Sequence, residues 1–325
     1  MNNKILDFKR MIGYAIKAPS GHNTQPWLFR IKEGEDRIRI VPDLTKELPV
    51  VDKDCRELFI SLGCAAENLC IAAKDMGYEP AVTIDEYNTI NVYLKKISVA
   101  KPDSLCLQID KRQTNRGKYD SRLISEDAIR QFRSVPLEDH VHAYFWRNQT
   151  EVFNLLKTYV AEGNCMQMGN KKFLEELKSW MRYNKKHAEE KNDGLSYAVF
   201  DAPDLPKFIS RPVMGAFLNA KTQNKADMEK ITSSSHFLLL TTQNNTEAEW
   251  IGLGRSLQRL LLVMTQQGVA NAYVNQPCEV SELATKLQEL LPVNNEYPTI
   301  LLRIGYAEPA PYSKRKSIEE VCCLE

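Results

Sequence analysis

The sequence predicts an α+β fold built from two related halves, and three observations lead there. Two stretches, Leu58 to Met76 and Trp250 to Gln267, are apolar nearly all round, and each stops at a glycine, Gly77 or Gly268. Helices of that composition belong in the interior, and glycine is the usual C-terminal stop. An offset of 191 residues pairs Ile60 with Ile251, Leu62 with Leu253, Gly63 with Gly254, Leu69 with Leu260 and Gly77 with Gly268. Each of these helices is also preceded by a helix and then a strand, so the order of elements repeats as well as the residues. The halves expected on this basis are 1–108 and 109–325.

The elements follow in chain order. Ile5, Phe8, Ile12, Ala15 and Ile16 recur at helical spacing, and Pro19 ends that helix. Trp27 to Ile31 and Ile38 to Val41 are β-rich runs separated by a polar turn with Gly34. In the second half, Ala128 to Phe132 reads as a helix that Ser125 caps, and Val141 to Trp146 as a strand. An insertion at about 150–220 makes this half longer. It starts with two amphipathic helices, one carrying Phe153, Leu156 and Val160, the other Phe173, Leu177 and Trp180. From Asp193 to Arg211 periodicity vanishes in a stretch holding Pro203, Pro206, Leu195, Tyr197, Phe200 and Phe208. Such an apolar loop either covers a ligand as a lid or packs on the core. His236 to Leu240 and Thr299 to Ile304 read as further core strands.

Composition narrows the function. With 325 residues, 43% of them hydrophobic, the chain can bury a large core without disulfides or metals. Its 43 Lys and Arg balance 42 Asp and Glu, which argues against a nucleic-acid partner and makes any anion site a local one. The eight cysteines form no CxxC pair, and no apolar run approaches the roughly 20 residues of a membrane span. Charges break up the first residues, so no signal peptide is read there and a cytoplasmic protein is expected. The histidines share no metal-ligand spacing with each other or with cysteine.

Three clusters could carry chemistry. Ala18-Pro19-Ser20-Gly21-His22-Asn23-Thr24-Gln25-Pro26-Trp27 lies between a helix and a strand. Its carboxamides both donate and accept, which suits a ligand edge alternating N–H and C=O, such as the pyrimidine side of a flavin, and equally suits a capped tight turn. Arg112, Thr114 and Arg116 have the spacing Arg-x-Thr-x-Arg, in which two guanidinium forks flank a hydroxyl and can grip a phosphate; a solvated basic turn has the same look. Ser313-Lys314-Arg315-Lys316 follows the last strand and reads alone as an exposed basic tail.

Ala-Pro-Ser-Gly-x-Asn-x-Gln-Pro-Trp resembles the signature of FMN-dependent nitroreductases, in particular the longer Acg-like FMN-binding branch. The resemblance continues through Val51-Asp52 with Arg56-Glu57-Leu58, Thr114-Asn115-Arg116-Gly117, Asn275-Gln276-Pro277 and Leu302-Arg303-Ile304-Gly305-Tyr306. It implies a three-layer α-β-α nitroreductase fold with FMN as cofactor. It also implies FMN contacts from Ser20, His22, Asn23, Gln25, Arg112, Thr114, Arg116, Asn275, Gln276, Pro277, Arg315 and Lys316, the last two favoured over Lys314. The implied activity moves electrons from NAD(P)H through FMN to a nitroaromatic, quinone or similar flat acceptor, with no obligatory protein acid or base. The alternative is an FMN-binding or flavin-sequestering protein whose lid shuts out the nicotinamide.

Ordinary members of the family resemble one half and bind FMN between two subunits. Here the arginine motif exists only in the second half and the amide loop only in the first; the second helix-to-strand turn, Val135 to His140, has no amide cluster. One chain is therefore expected to form an intrachain pseudo-dimer with a single FMN site. Gly252-Leu-Gly254 lacks the third glycine of a dinucleotide fingerprint and falls inside the repeated helix. Cys278 reads as a buried, passive thiol.

Overall fold

A computed structural model describes residues 3–98, 102–200 and 202–325. Its strands are β1 (Trp27–Ile31), β2 (Arg37–Pro42), β3 (Tyr78–Ile84), β4 (Ile90–Lys96), β5 (Val141–Arg147), β6 (Met181–Arg182), β7 (Leu195–Ser196), β8 (His236–Thr242), β9 (Ala270–Tyr273), β10 (Tyr297–Gly305) and β11 (Cys322–Leu324). The first sheet runs β11-β1-β2-β4-β3 and the second β5-β8-β10-β9. Without β11, both sheets place their strands in the order first, second, fourth, third, and every one of these pairings is antiparallel.

The predicted interior helices are Arg56–Asp75 and Glu247–Gln266, and they pack on each other at the centre of the molecule. Gly77 and Gly268 follow them with φ of 78° and 69°, the left-handed backbone that glycine adopts without steric penalty. The contact between the helices is reciprocal. A Cβ on Gly63 would lie 2.1 Å from the Ile251 carbonyl oxygen, and one on Gly254 would lie 2.1 Å from that of Ile60. When each residue of a pair meets the other's counterpart in this way, the surfaces are related by a two-fold axis, here within one chain.

Alternation along the strands sets the layers. In β1 and β2, Trp27, Phe29, Ile31, Ile38 and Ile40 face the helix Asn3–Ala15 and the central helices, while Arg30, Arg37 and Arg39 face outward. β8 is buried on both faces: Leu238 and Leu240 join the central core, and Phe237 and Leu239 join a second core with Phe153, Leu156 and Val160 of the helix Glu151–Gly169. The second sheet therefore lies between two helical layers, the α-β-α order expected, whereas the first keeps one face open.

Two features differ from the sequence reading. The aperiodic stretch after Asp193 contains a helix, Lys207–Ala216, with Pro212 inside it; Ser210 and Met214, one turn apart, are its buried side chains, too narrow a stripe to show as periodicity. The chain end also leaves the second half and crosses to the first sheet. β11 pairs parallel with β1, setting Phe29 opposite Cys322, and Arg30 Nη1 lies 3.1 Å from Glu325 Oε1. This crossing carries residues 313–316 to the loop before β1. No helix among the described residues is long and apolar enough to cross a membrane.

Candidate functional site

The loop between the first helix and β1 is held in an unfavourable backbone. His22, Asn23 and Gln25 have φ of 47°, 56° and 55°, a region that disfavours side chains by roughly 1–2 kcal/mol per residue. Neighbouring segments hold it there. Gln25 N–H donates to Ser20 Oγ at 3.0 Å, and its Nε2 donates to the Asn192 carbonyl at 2.8 Å. The Lys316 N–H donates to Gln25 Oε1 at 2.9 Å. Asn23 Nδ2 donates to the carbonyls of Gly194 and Lys314 at 3.2 and 3.1 Å, and the Gly194 N–H returns a bond to the Asn23 carbonyl. The loop is thus sewn to both the insertion and the chain end.

Three guanidinium groups converge beside it. Arg112 is buried; its Nη2 donates to the Lys17 carbonyl at 3.0 Å, and its Nε and Nη1 have no partner among the described residues. Arg315 Nη1 donates to Asn23 Oδ1 at 2.8 Å and its Nη2 to the Ala18 carbonyl at 3.2 Å, while its Nε is unpartnered. Arg116 completes the group. Among the described residues no carboxylate pairs with any of the three; nearby Asp110 pairs with Lys17. Burial, aggravated by the like charge of Arg112, pulls Arg315 down to about 9. Burial also lowers Arg112 and Arg116, and burial followed by the Arg116 charge pulls His22 down to about 4. Buried cations of one sign with free donors are costly unless an anion completes them.

These groups line a cavity of about 400 Å³. It shares Pro19, Ser20, Arg116, Leu195 and Tyr273 with an inner chamber of about 170 Å³. Of the residues expected from sequence, Ser20, Asn23, Arg112, Thr114, Arg116 and Arg315 line the outer part, and His22 and Asn275 the inner. Four expected residues do not line it. Gln25 is fully buried in the bonds described above. Gln276 donates to Asn164 Oδ1 at 3.0 Å, tying the helix Glu151–Gly169 in place, and Pro277 is buried at the start of the short helix Gln276–Glu279. Lys316 offers its backbone, whereas its ammonium is lowered by burial and then by Lys46; Lys314 lines the cavity with Arg315 instead.

The sequence reading missed Lys17, Glu57, Cys64, Tyr273 and Glu279 as lining residues. Glu57 stands in the Arg56-Glu57-Leu58 motif, and its signal is a carboxylate in the first turn of a helix that is otherwise mostly apolar. Burial pushes the thiols of Cys64 and Cys278 up to about 12, which leaves both inert. The insertion meets both earlier readings at once: Asn192 and Gly194 pack on the loop, while Leu195 forms a wall of both chambers.

No family model matches the chain. Over 325 aligned residues it is 24% identical to "Putative NAD(P)H nitroreductase Rv3131" of Mycobacterium tuberculosis, with 96% of this chain and 90% of that protein covered. It is 23% identical to "Uncharacterized protein Rv3127" of the same organism, with 93% and 87% covered. Among solved structures it is similar to the FMN-dependent nitroreductase NfnB from Mycobacterium smegmatis in complex with NADPH, at 18% identity and a TM-score of 0.42, covering 66% of this chain and 94% of that one. It is also similar to a nitroreductase with bound FMN from Desulfitobacterium hafniense, at 11% identity and a TM-score of 0.43, covering 69% and 100%. The motif residues thus gather on one cavity, and the likeness to Rv3131 runs nearly end to end.

Proposed function

We propose that the cavity binds FMN and that the protein is an NAD(P)H-dependent flavin oxidoreductase of the longer, Acg-like kind. The observation that carries this is the trio Arg112, Arg116 and Arg315, the first buried and the other two half-buried, all lining one cavity and none paired with a carboxylate among the described residues. With Thr114 they offer charge-assisted donors suited to a phosphate, and Ser20 and Asn23 offer hydroxyl and amide groups to a polar ring edge. The two chambers together fall within the usual size of cofactor sites. FMN bound here would supply two-electron chemistry, accepting hydride from a nicotinamide and reducing a nitroaromatic, quinone or similar flat acceptor. The chain's own part is to hold the cofactor, oppose negative charge with its cations and keep bulk water out with Leu195 and the loop.

The closeness of residues 192–195 to the loop keeps a second reading in play, a protein that sequesters FMN behind the insertion. One experiment separates the two. The purified protein should be yellow, carry one FMN per chain and bleach when NADPH or NADH is added without oxygen. Bound FMN that neither dinucleotide reduces supports sequestration; colourless protein after reconstitution sinks both readings.

A further inference from the structure

Glu57 and Glu279 meet in the inner chamber. Glu57 stands in the first turn of the central helix Arg56–Asp75, and Glu279 ends the short helix after Asn275. Both carboxyl groups line this one chamber, and two buried carboxylates brought together there are most cheaply held with one proton between them. Flanking amides fix the pair, Asn275 Nδ2 donating to Glu57 Oε1 at 2.8 Å and Gln167 Nε2 to Glu279 Oε2 at 2.6 Å. Arg56 is the cation whose charge acts on both glutamates. Gly21 leaves room for the pair, since a Cβ there would lie 2.9 Å from Glu57 Oε2.

The charged and titratable groups around the pair come from several elements. They are Asp52, Arg56 and Cys64 on or before the central helix, His22 on the loop, Tyr273 on β9, Cys278 on the short helix, and Arg116. Arg56 spends its Nη2 on the Cys278 carbonyl at 2.7 Å. Burial raises both carboxyls, and the Glu279 charge raises Glu57 further, to about 8, so Glu57 keeps a proton at neutral pH. The chamber adjoins the cavity that Arg112 lines, sharing Arg116, Leu195 and Tyr273 with it, so the pair faces ligand space.

We propose that Glu57 and Glu279 share one proton and hand it to the oxygen of the acceptor reduced in this cavity. The inference rests on the flavin reading above. For a quinone, hydride from the reduced cofactor brings two electrons and one hydrogen. The O–H bond of the acid pair breaks as a new O–H bond forms on the quinone oxygen, giving the hydroquinone. The pair, left as two adjacent carboxylates, regains its proton from water.

The test uses Glu57→Gln and Glu279→Gln in the FMN-loaded protein, with a benzoquinone as acceptor. Oxidation of the pre-reduced protein should slow by about 10²-fold or more, and its solvent deuterium effect should vanish, while FMN content and reduction by NADPH stay within about twofold. In the flavin-free protein, the infrared band of a protonated carboxyl should persist at pH 7 and be lost in both variants. A quinone rate unchanged in both variants with FMN retained overturns proton delivery, and absence of the band in the wild type overturns the shared proton. Failure of the wild type to take up FMN sinks the flavin reading and delivery with it; the infrared band is scored independently of that outcome.

Discussion

The two helix-to-strand turns of this chain hold two arginine clusters that end differently. At the first turn Arg112, Arg116 and Arg315 face a cavity with no carboxylate to meet them. At the second, Val135 to His140, Arg255 and Arg259 face Glu67 and Glu138. Arg255 lies 3.2 Å from Glu67 and 3.0 Å from Glu138, and Arg259 lies 2.8 Å from Glu67 and donates to the Pro136 carbonyl at 2.6 Å. Under the 191-residue offset Arg255 is the counterpart of Cys64, which lines the open chamber. The repeat has kept its packing at both places, but ion pairs fill the space at one turn and the cations face an open cavity at the other. Packing and ligand chemistry were therefore free to diverge.

The largest effect should come from what the halves share. Gly63→Ala or Gly254→Ala drives a methyl into a backbone carbonyl that neither helix can move aside, so each should destabilise the protein by about 3 kcal/mol or more, and by similar amounts. Urea unfolding measures this. A mild loss at one position alone would show that the reciprocal contact is not a true two-fold.

That contact shows what was legible beforehand. Both central helices, their glycine stops and the 191-residue offset stood out because an all-apolar helix leaves a pattern in any context. β3, β4 and β9 went unread. β3 alternates in burial but carries Pro80 within it, which reads as a strand breaker, β4 has irregular burial, and β9 has four residues, so none stands out as a strand. At the site, motif residues with charged or amide side chains came out near the cavity. Gln25, Gln276 and Lys316 belong to the same motifs yet brace the walls, because spacing along a chain does not say which way a side chain turns. The Glu57–Glu279 pairing was invisible for the opposite reason: more than two hundred residues of sequence separate partners that only the fold brings together.

The second-largest effect probes the unpaired cluster. Arg112→Ala should weaken FMN binding by about 2–3 kcal/mol, roughly 30- to 150-fold, as expected for hydrogen bonds to a charged group. The flavin-free protein should lose little stability, because the substitution removes a like charge that opposes Arg315. Titration with FMN, followed by unfolding with and without it, reads both numbers. Equal destabilisation in the two states would mean that Arg112 is a structural residue.

Glu67→Gln makes the matching change at the filled turn. It strips Arg255 and Arg259 of their most buried partner, but both guanidiniums reach solvent and keep Glu138, so a loss of about 2 kcal/mol is expected, below the usual range for a fully buried pair. FMN should stay at one per chain with unchanged affinity. A second equivalent of FMN would show that the ion pairs alone suppress a second site.

The smallest effect separates the histidines that sit with positive φ in the two turns, His22 and His140. His22 is held at about 4, below its ordinary 6.5, so the folded protein refuses a proton that the unfolded chain accepts. Its contribution to stability is complete above pH 6.5 and drains away as the pH falls toward 4, at no more than about 1.4 kcal/mol per unit. Since the cavity admits water, a total near 1 kcal/mol is expected. Glu57 and Glu279 act in the opposite sense, since raised carboxyls stabilise the fold at low pH and lose that contribution as pH rises, so the raw slope mixes the two. The informative quantity is the difference between wild type and His22→Asn, with His140→Asn correcting for the left-handed backbone that asparagine tolerates. That difference should shrink when FMN is bound, because a phosphate between Arg116 and the loop offsets the charge that helps keep His22 neutral.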